Sequence, residues 1–353
     1  MKVAIITDTH WGARNDSLQC IEYYKKFYDN IFFPKLKEQG ITSILMLGDT
    51  FDRRKYTNHA TLYHAKKIFF DVAYNNGMSI IMITGNHDVT YKNTNDVNSP
   101  QLTLAEYLNI VIISRPETVQ VHGIPVCFLP WICADNYADS MKEIQNTKAD
   151  ICMGHLEISG FAMYRGAESH DGLSKDLFNK FDMVFSGHFH HRSNNNNIFY
   201  LGNPYELTWH DYNDPRGFHI FDLDTRKLEF IHNSYNLFER LEYDDSNCDF
   251  NSDNIDTSFA TNKYVKIIVI NKIHYDKFDK FIRRLYASDP LEVKIIENFS
   301  EFSDGEVDTT INLEDTSSVL SNYIDSIDTE VDKAKIKSFM KMLYTEALNK
   351  EGV

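Results

Sequence analysis

The chain has 353 residues, of which 42% are hydrophobic, and a formal net charge of −15. That length suits two or three domains, one with a sizeable core, and no apolar stretch approaches the ~20 residues of a membrane span. The acidic balance is the reverse of a free nucleic-acid binder's, so a polyanionic substrate would need bound cations or a partner protein.

In chain order, Met1–Asp8 reads as a strand and lacks a signal-peptide layout; Val3–Thr7 is its apolar run. Cys20–Gly40 has helical spacing through Ile21, Tyr24, Phe27, Tyr28 and Ile31, and stops at a glycine. Ile44–Leu47 is a second buried-strand run, Asn58–Tyr74 a helix, and Ile80–Thr84 a third strand. The strand–helix–strand rhythm predicts a mainly parallel sheet with helices on its faces. From about residue 119 the runs shorten: Val119–Val121, Val126–Leu129, Ile151–Met153, Met183–Phe185, Ile198–Leu201 and Phe218–Asp222. Two sheets packed face to face, with helices outside, accommodate both halves. The asparagine run 194–197 reads as a hairpin loop.

Asp244–Asn254 reads as an acidic linker. Tyr264–Ile270 (strand), Tyr275–Tyr286 (helix) and Leu291–Ile296 (strand) then form a small α/β module. Asn298–Thr316 is an acidic connector, and Ser317–Ile327 and Lys333–Leu348 are helical. Residues 241–353 hold 23 acidic and 13 basic residues, which leaves −5 for residues 1–240. The five cysteines form no CxxC, which fits reduced thiols in a cytoplasmic protein.

Five polar clusters each follow an apolar run: Asp8-Thr9-His10, Gly48-Asp49-Thr50-Phe51-Asp52, Gly85-Asn86-His87-Asp88, Gly154-His155 and Gly187-His188-Phe189-His190. Ligands in open α/β sheets gather at the carboxyl ends of strands, so five such ends can share one crevice. Carboxylate, amide and imidazole donors without thiolate suit manganese, iron or zinc in a catalytic rather than structural site. Two ions roughly 3.5–4 Å apart need a bridging carboxylate, for which Asp49 is the best candidate. Asp8, His10 and a terminal histidine then complete one shell, and Asn86 with two further histidines the other.

In the order DxH, GDxxD, GNHD, GH, GHxH, the set resembles the calcineurin-like metallophosphoesterase superfamily and, within it, the SbcD-type recombination nucleases, phage members included. The tracts Gly154–Phe161, Leu201-Gly202-Asn203-Pro204 and Asn213–Phe218 support the narrower match. The likeness is carried by motif over about residues 1–235 and by layout beyond. It implies a four-layer α-β-β-α sandwich over residues 1–240, a capping, DNA-binding module over 255–298, an acidic linker over 299–316 and a helical tail over 317–353.

The resemblance assigns Asp8, His10, Asp49 and His190 to one ion, and Asp49, Asn86, His155 and His188 to the other. His87 protonates the leaving oxygen or stabilises the transition state. The ions are Mn2+ by preference, with Mg2+ or Fe2+ as alternatives. The implied activity is 3′→5′ exonuclease action on duplex DNA ends and endonuclease action on single strands, in recombination, repair and end processing. The implied partners are DNA, an SbcC-type coiled-coil ATPase held by the tail, and a second copy of the chain through helices 58–74 and 100–108. Archaeal and eukaryotic relatives have GDxFH where this chain has Asp52. Asp52 is therefore read either as holding His10 or His87 by a hydrogen bond or as a helix cap. Arg53, Arg54 and Lys55 read as a phosphate contact or a solvated basic loop. Tyr56, Trp131 and Trp209 read as packing residues or base-stacking platforms. The competing function is a phosphomonoesterase such as a protein phosphatase, whose GDxVDRG motif this chain lacks at its final glycine.

Overall fold

Strand residues alternate sides, and here both sides of the first sheet are apolar. Ala4, Ile6, Ile44, Met46, Ile80 and Met82 pack on helices, while Val3, Ile5, Leu45, Leu47 and Ile83 pack on a second sheet. Burial on both faces explains the unbroken apolar runs. The structure is a computed structural model; it describes residues 1–164, 167–170, 172–246 and 254–297, with Ile324, Lys333, Ile336 and Lys337.

The first sheet runs, in spatial order, Leu228–His232, Gly217–Asp222, Lys2–Ile6, Ser43–Leu47, Ser79–Ile83 and Ile110–Ile113. The last four are parallel and the first two join antiparallel. The second sheet runs Ser193–Asn195, Ile198–Tyr200, Met183–Ser186, Ile151–Gly154, Ile124–Leu129 and Glu117–Val121. Its four central strands are parallel. Phe128, Met153 and Phe185 fill the space between the sheets, and Cys127, Cys152 and Val184 face an outer layer that includes Ile144 of helix Tyr137–Asn146. This is the expected four-layer α-β-β-α sandwich.

Two long helical segments cover the first sheet, each interrupted by a π-turn. One is Leu18–Phe27, Tyr28–Phe32 and Phe33–Glu38; the other is His59–Ala65, Lys66–Phe70 and Asp71–Asn75. The wider turn shifts the helical phase, so neighbouring aromatics such as Phe32 and Phe33 are both buried. The π-turns face each other, with the Tyr28 and Phe32 rings 5.1 and 5.7 Å from Phe69. The helix expected over Pro100–Leu108 is shorter, Ser99–Thr103; the chain turns out of it and enters the edge strand Ile110–Ile113. The asparagine run is the expected hairpin turn, with Asn196 at φ 52°.

The small module is a parallel sheet of Phe238–Asp244, Tyr264–Asn271 and Glu292–Glu297, with helix Tyr275–Tyr286 on one face. Its first strand straddles residue 240 and extends to Asp244, where the linker was expected to begin. Tyr243, Val265, Ile267, Phe278, Phe281 and Leu285 form its core. Glu206 anchors the entry to this strand, its Oε2 accepting from the N–H groups of Leu237 (2.6 Å) and Phe238 (2.9 Å). A second tie comes from a left-handed turn in which Gly12, Arg14, Asn15 and Asp16 have φ of 103°, 53°, 58° and 59°. The Arg14 guanidinium lies 4.0 Å from the Tyr264 ring centre and 5.4 Å from that of Phe238.

Met1–Glu297 is one compact unit and Asn298–Val353 another. The expected acidic linker and tail helices lie outside the described residues, apart from the four isolated positions. Cys20, Cys127, Cys133 and Cys152 are buried and free. Among the described residues no helix is long and apolar enough to cross a membrane.

Phe185 is fully buried between the sheets and touches Phe221 across the gap, with ring centres 4.8 Å apart. Phe185→Ala is expected to lower the unfolding free energy by about 3–5 kcal/mol, measured by denaturant titration.

Candidate metal centre

All five clusters sit at one edge, where the carboxyl ends of the strands Lys2–Ile6, Ser43–Leu47, Ser79–Ile83, Ile151–Gly154 and Met183–Ser186 meet. The loops approach more closely than side chains allow. A Cβ on Gly85 would lie 2.2 Å from Asp49 Oδ1, and one on Gly187 would lie 2.0 Å from the Thr7 hydroxyl and 2.8 Å from Asp8 Oδ2. The glycines ahead of Asn86 and His188 are thus a packing requirement. Asp8, His10, Asp49 and His188 all have positive φ, a strained conformation for residues with side chains. Hydrogen bonds between loops hold it: Asp8 N–H to Gly48 O at 3.0 Å, His10 N–H to Asp49 O at 3.0 Å, and His188 N–H to Asp8 Oδ1 at 3.1 Å.

Asp8, His10 and His190 form one group of potential ligands, and Asp49, His155 and His188 a second. Asp49 lies between them: its Oδ2 is 3.7 Å from His10 Nε2 and 3.3 Å from His155 Nε2. Asn86 Oδ1 joins the second group, 2.9 Å from both His155 Nε2 and His188 Nδ1. The structure therefore brings all seven residues together, in two groups with Asp49 between them.

The donor set fits divalent cations. His155 Nδ1 donates to the Leu47 carbonyl at 2.8 Å, so the Nε2 of a neutral His155 is a bare lone pair facing two oxygen acceptors. His10 and His190 likewise meet Nε2 to Nε2 at 3.2 Å. Such convergence of acceptors needs either extra protons or cations. Burial disfavours the charged form of His10, yet Asp52, Asp49 and Asp8 raise it to about 9; His155 is likewise raised to about 9 against burial, chiefly by Asp49. Burial and then His155 lower His188 to about 3, and burial and then His10 lower His190. Burial also opposes ionisation of Asp49, but His155, His10 and His87 hold its carboxyl well below the usual carboxylate range. Metal binding at this donor set would compete with protons on the imidazoles.

His87 lies beside His10, with ring centres 4.9 Å apart. Its backbone N–H donates to Asp49 Oδ1 at 2.7 Å and its Nδ1 donates to the Asp52 carbonyl at 2.6 Å, leaving Nε2 uncommitted. Asp52 also reaches His10, with Oδ1 3.2 Å from Nδ1. It therefore meets both histidines, one through its side chain and one through its backbone. His10, Asp52 and His87 are themselves a third potential ligand group.

Two supporting residues received no role from sequence. The fully buried Asp88 accepts from Thr50 N–H (2.9 Å), Phe51 N–H (3.0 Å) and Gly85 N–H (2.9 Å), tying the Asp49 loop to the Asn86 loop. Its place in GNHD was the available signal. Burial and the nearby Asp49 push its carboxyl up to about 7. Arg216 is also buried; it donates to the His190 carbonyl and Asn203 Oδ1, and pairs with Asp214 (2.6 Å) and Asp211 (3.1 Å). The tracts Leu201–Pro204 and Asn213–Phe218 therefore meet behind a metal-ligand loop.

Arg53 pairs with Asp16 at 3.3 Å and donates to Asn15 Oδ1 at 2.8 Å and to the Tyr56 hydroxyl. Arg54 lies at the edge of the centre, with Nη2 3.3 Å from the outer atom of the Asn86 carboxamide. Trp131 packs against His188 with ring centres 5.3 Å apart, and Trp209 against Phe238 at 4.7 Å. Tyr56 is exposed.

Residues 1–192 match the family described as calcineurin-like phosphoesterase. Exonuclease subunit 1 of Enterobacteria phage T4 is 33% identical over 364 aligned positions, covering 98% of this chain and 99% of that protein. An SbcCD nuclease subunit of Staphylococcus epidermidis is 22% identical, covering 85% of this chain and 92% of that protein. Among solved structures, a novel archaeal phosphodiesterase overlays with a TM-score of 0.33 at 11% identity, covering 66% of this chain and 99% of that one; a score that low adds nothing to the fold assignment.

Replacing Arg216 by alanine strands two buried carboxylates. Arg216→Ala is expected to lose about 3–5 kcal/mol of stability and to weaken manganese binding, read by thermal denaturation and by spin-resonance titration of free Mn2+.

Proposed function

The chain is a calcineurin-like phosphoesterase, and from that premise we propose that it is the nuclease subunit of an SbcCD-type complex, hydrolysing phosphodiester bonds in DNA. The observation that carries the reading is Asp49 standing between two ligand groups with the uncommitted Nε2 of His87 beside them. Asp8, His10, Asp49 and His190 would hold one divalent ion, and Asp49, Asn86, His155 and His188 the other. Mixed nitrogen and oxygen donors without thiolate suit manganese, iron or zinc, and the family resemblance puts Mn2+ first among the proposed ions. Such ions, when bound, supply Lewis acidity and an activated water.

The protein's own part is positional. The Asp52 carbonyl fixes the proton of His87 on Nδ1, so Nε2 is the atom that holds or delivers a proton at the departing 3′-oxygen. Asp52 also steadies His10, and Asp88 keeps the two loops in register. The proposed activities are 3′→5′ exonuclease action on duplex ends and endonuclease action on single strands, in recombination and repair.

The small module favours DNA over a phosphomonoester. Arg240 is opposite Lys266, and Lys266 opposite Lys294, on the sheet face away from its helix. Arg240 pairs with Glu242 at 2.8 Å and Lys266 lies 4.0 Å from the Trp209 ring centre, and a phosphate backbone lying across this row would meet three cations in an otherwise acidic chain. The two relatives support the partner reading, since both are named as subunits and both cover most of their length. The tail, whose sequence places Val319, Leu320, Tyr323, Ile324 and Ile327 on one helical face, would seat an SbcC-type coiled-coil ATPase. That ATPase would supply further DNA-binding surface and processivity. A second copy of the chain would cover the exposed Tyr63, Leu102, Leu108 and Val111, on and after the helical segments 59–75 and Ser99–Thr103.

The test is a manganese-dependent assay on end-labelled duplex DNA beside a phosphomonoester. DNA cleavage is expected, lost in Asp49→Ala together with manganese binding. In His87→Ala it should fall by about 10²–10⁴-fold with manganese retained. Robust monoesterase activity without DNA cleavage would instead establish the phosphatase reading. Lys294→Glu should weaken duplex binding and flatten its salt dependence by about one unit of log–log slope, measured by anisotropy.

A further inference from the structure

The structure sorts the basic residues that follow the Asp49 motif. Arg53 is committed to Asp16, Asn15 and Tyr56, and Lys55 is exposed. Arg54 is half-buried at the edge of the metal centre, and its Nη1 is buried with no acceptor. Among the described residues no carboxylate pairs with it. A guanidinium does not shed its charge in a protein, so this cation calls for an anion.

Asn86 determines what Arg54 meets. Its carboxamide has two orientations of nearly identical shape. With Oδ1 outward, that oxygen accepts from Arg54 Nη2 at 3.3 Å, while Nδ2 lies within reach of His155 Nε2 and His188 Nδ1 at 2.9 Å and of Asp49 Oδ2 at 3.3 Å, an arrangement that a protonated His155 opposes because its Nε2–H needs an acceptor. With Oδ1 inward, as a cation ligand requires, Asn86 presents its own NH2 to Arg54. Donor then faces donor at 3.3 Å, and Arg54 has an acceptor on neither Nη atom. The group that satisfies Nη2 must come from outside the protein, at the mouth of the centre. It must be anionic and able to meet a planar fork of N–H donors, which describes the non-bridging oxygens of a phosphate ester.

We propose that Arg54 grips a non-bridging oxygen of the scissile phosphate while the Asn86 carboxamide turns its oxygen inward. With the Asn86 oxygen turned inward, Arg54 Nη2 meets no acceptor among the described residues and is available to substrate. The inference deepens the nuclease reading and rests on it. Arg54 is thereby a specificity determinant for phosphate, in contrast to the structural Arg53.

The experiment compares wild type, Arg54→Ala and Arg54→Lys in three measurements on the full chain. These are Mn2+ binding by spin resonance, inorganic phosphate binding by calorimetry with and without Mn2+, and single-turnover cleavage of end-labelled duplex DNA. Manganese binding is expected to persist in both variants. Phosphate binding to the manganese-loaded protein should weaken at least tenfold in Arg54→Ala and partly in Arg54→Lys, which keeps the charge but loses the fork. Cleavage should fall about hundredfold in Arg54→Ala. Without Mn2+, phosphate should bind more weakly to wild type and Arg54→Ala alike, because the cations that would share the phosphate are missing. Wild-type phosphate affinity and cleavage in Arg54→Ala would overturn the proposal, as would loss of manganese together with phosphate. Absence of DNA cleavage in wild type, with Arg54-dependent phosphate binding intact, would overturn the nuclease reading and leave the phosphate grip standing.

Discussion

The centre depends on Asp49 lying directly against Gly85, with no side chain between them. That contact lets the loop after Ser79–Ile83 close onto the loop after Ser43–Leu47, so that the His87 N–H reaches one Asp49 oxygen and the other faces His10 and His155. Any Cβ at residue 85 would separate the two loops and with them the two ligand groups. The rest of the fold serves this approach. The two sheets are locked by Phe185, Phe221 and their neighbours, and the His155 imidazole crosses from the second sheet to donate to the Leu47 carbonyl of the first. A ligand is thereby also a fastener between layers.

Much of this was legible in sequence because ligand chemistry and strand ends coincide. Each cluster followed an apolar run long enough to be a buried strand, so the meeting point could be read before any coordinates. The sandwich was legible for the same reason, since runs apolar on both faces require layers on both sides. What sequence did not carry was partnership at a distance. Asp88 stood within a recognised motif, but nothing local says that it collects three backbone N–H groups from two loops. Arg216 lies 26 residues from His190 and acts on its carbonyl, which leaves no trace in periodicity. The small module's first strand was hidden because Phe238–Asp244 alternates buried and polar residues and was absorbed into the preceding domain and linker. The Pro100–Leu108 helix was overextended because its apolar residues serve the turn into an edge strand as well.

The buried ion network around Arg216 also shows how a functional surface is braced from behind. Arg216 touches a ligand loop only through the His190 carbonyl, while its charge is matched by Asp211 and Asp214, both buried. A buried ion pair is a weak source of stability compared with apolar packing, but it tolerates little geometric freedom. Here that stiffness falls on the backbone of a residue whose imidazole must point one way.

The left-handed turn after His10 has a consequence of its own. A positive φ at Arg14 costs about 1–2 kcal/mol, less at Asn15 and Asp16, whose short side chains tolerate that conformation. The turn begins two residues after His10, and its Arg14 rests on Tyr264 and Phe238 of the small module. The module is therefore part of the reason the turn keeps its shape. An exchange of the module for an unrelated one would take away the aromatic seat on which Arg14 rests, and with it one support of the loop that carries His10.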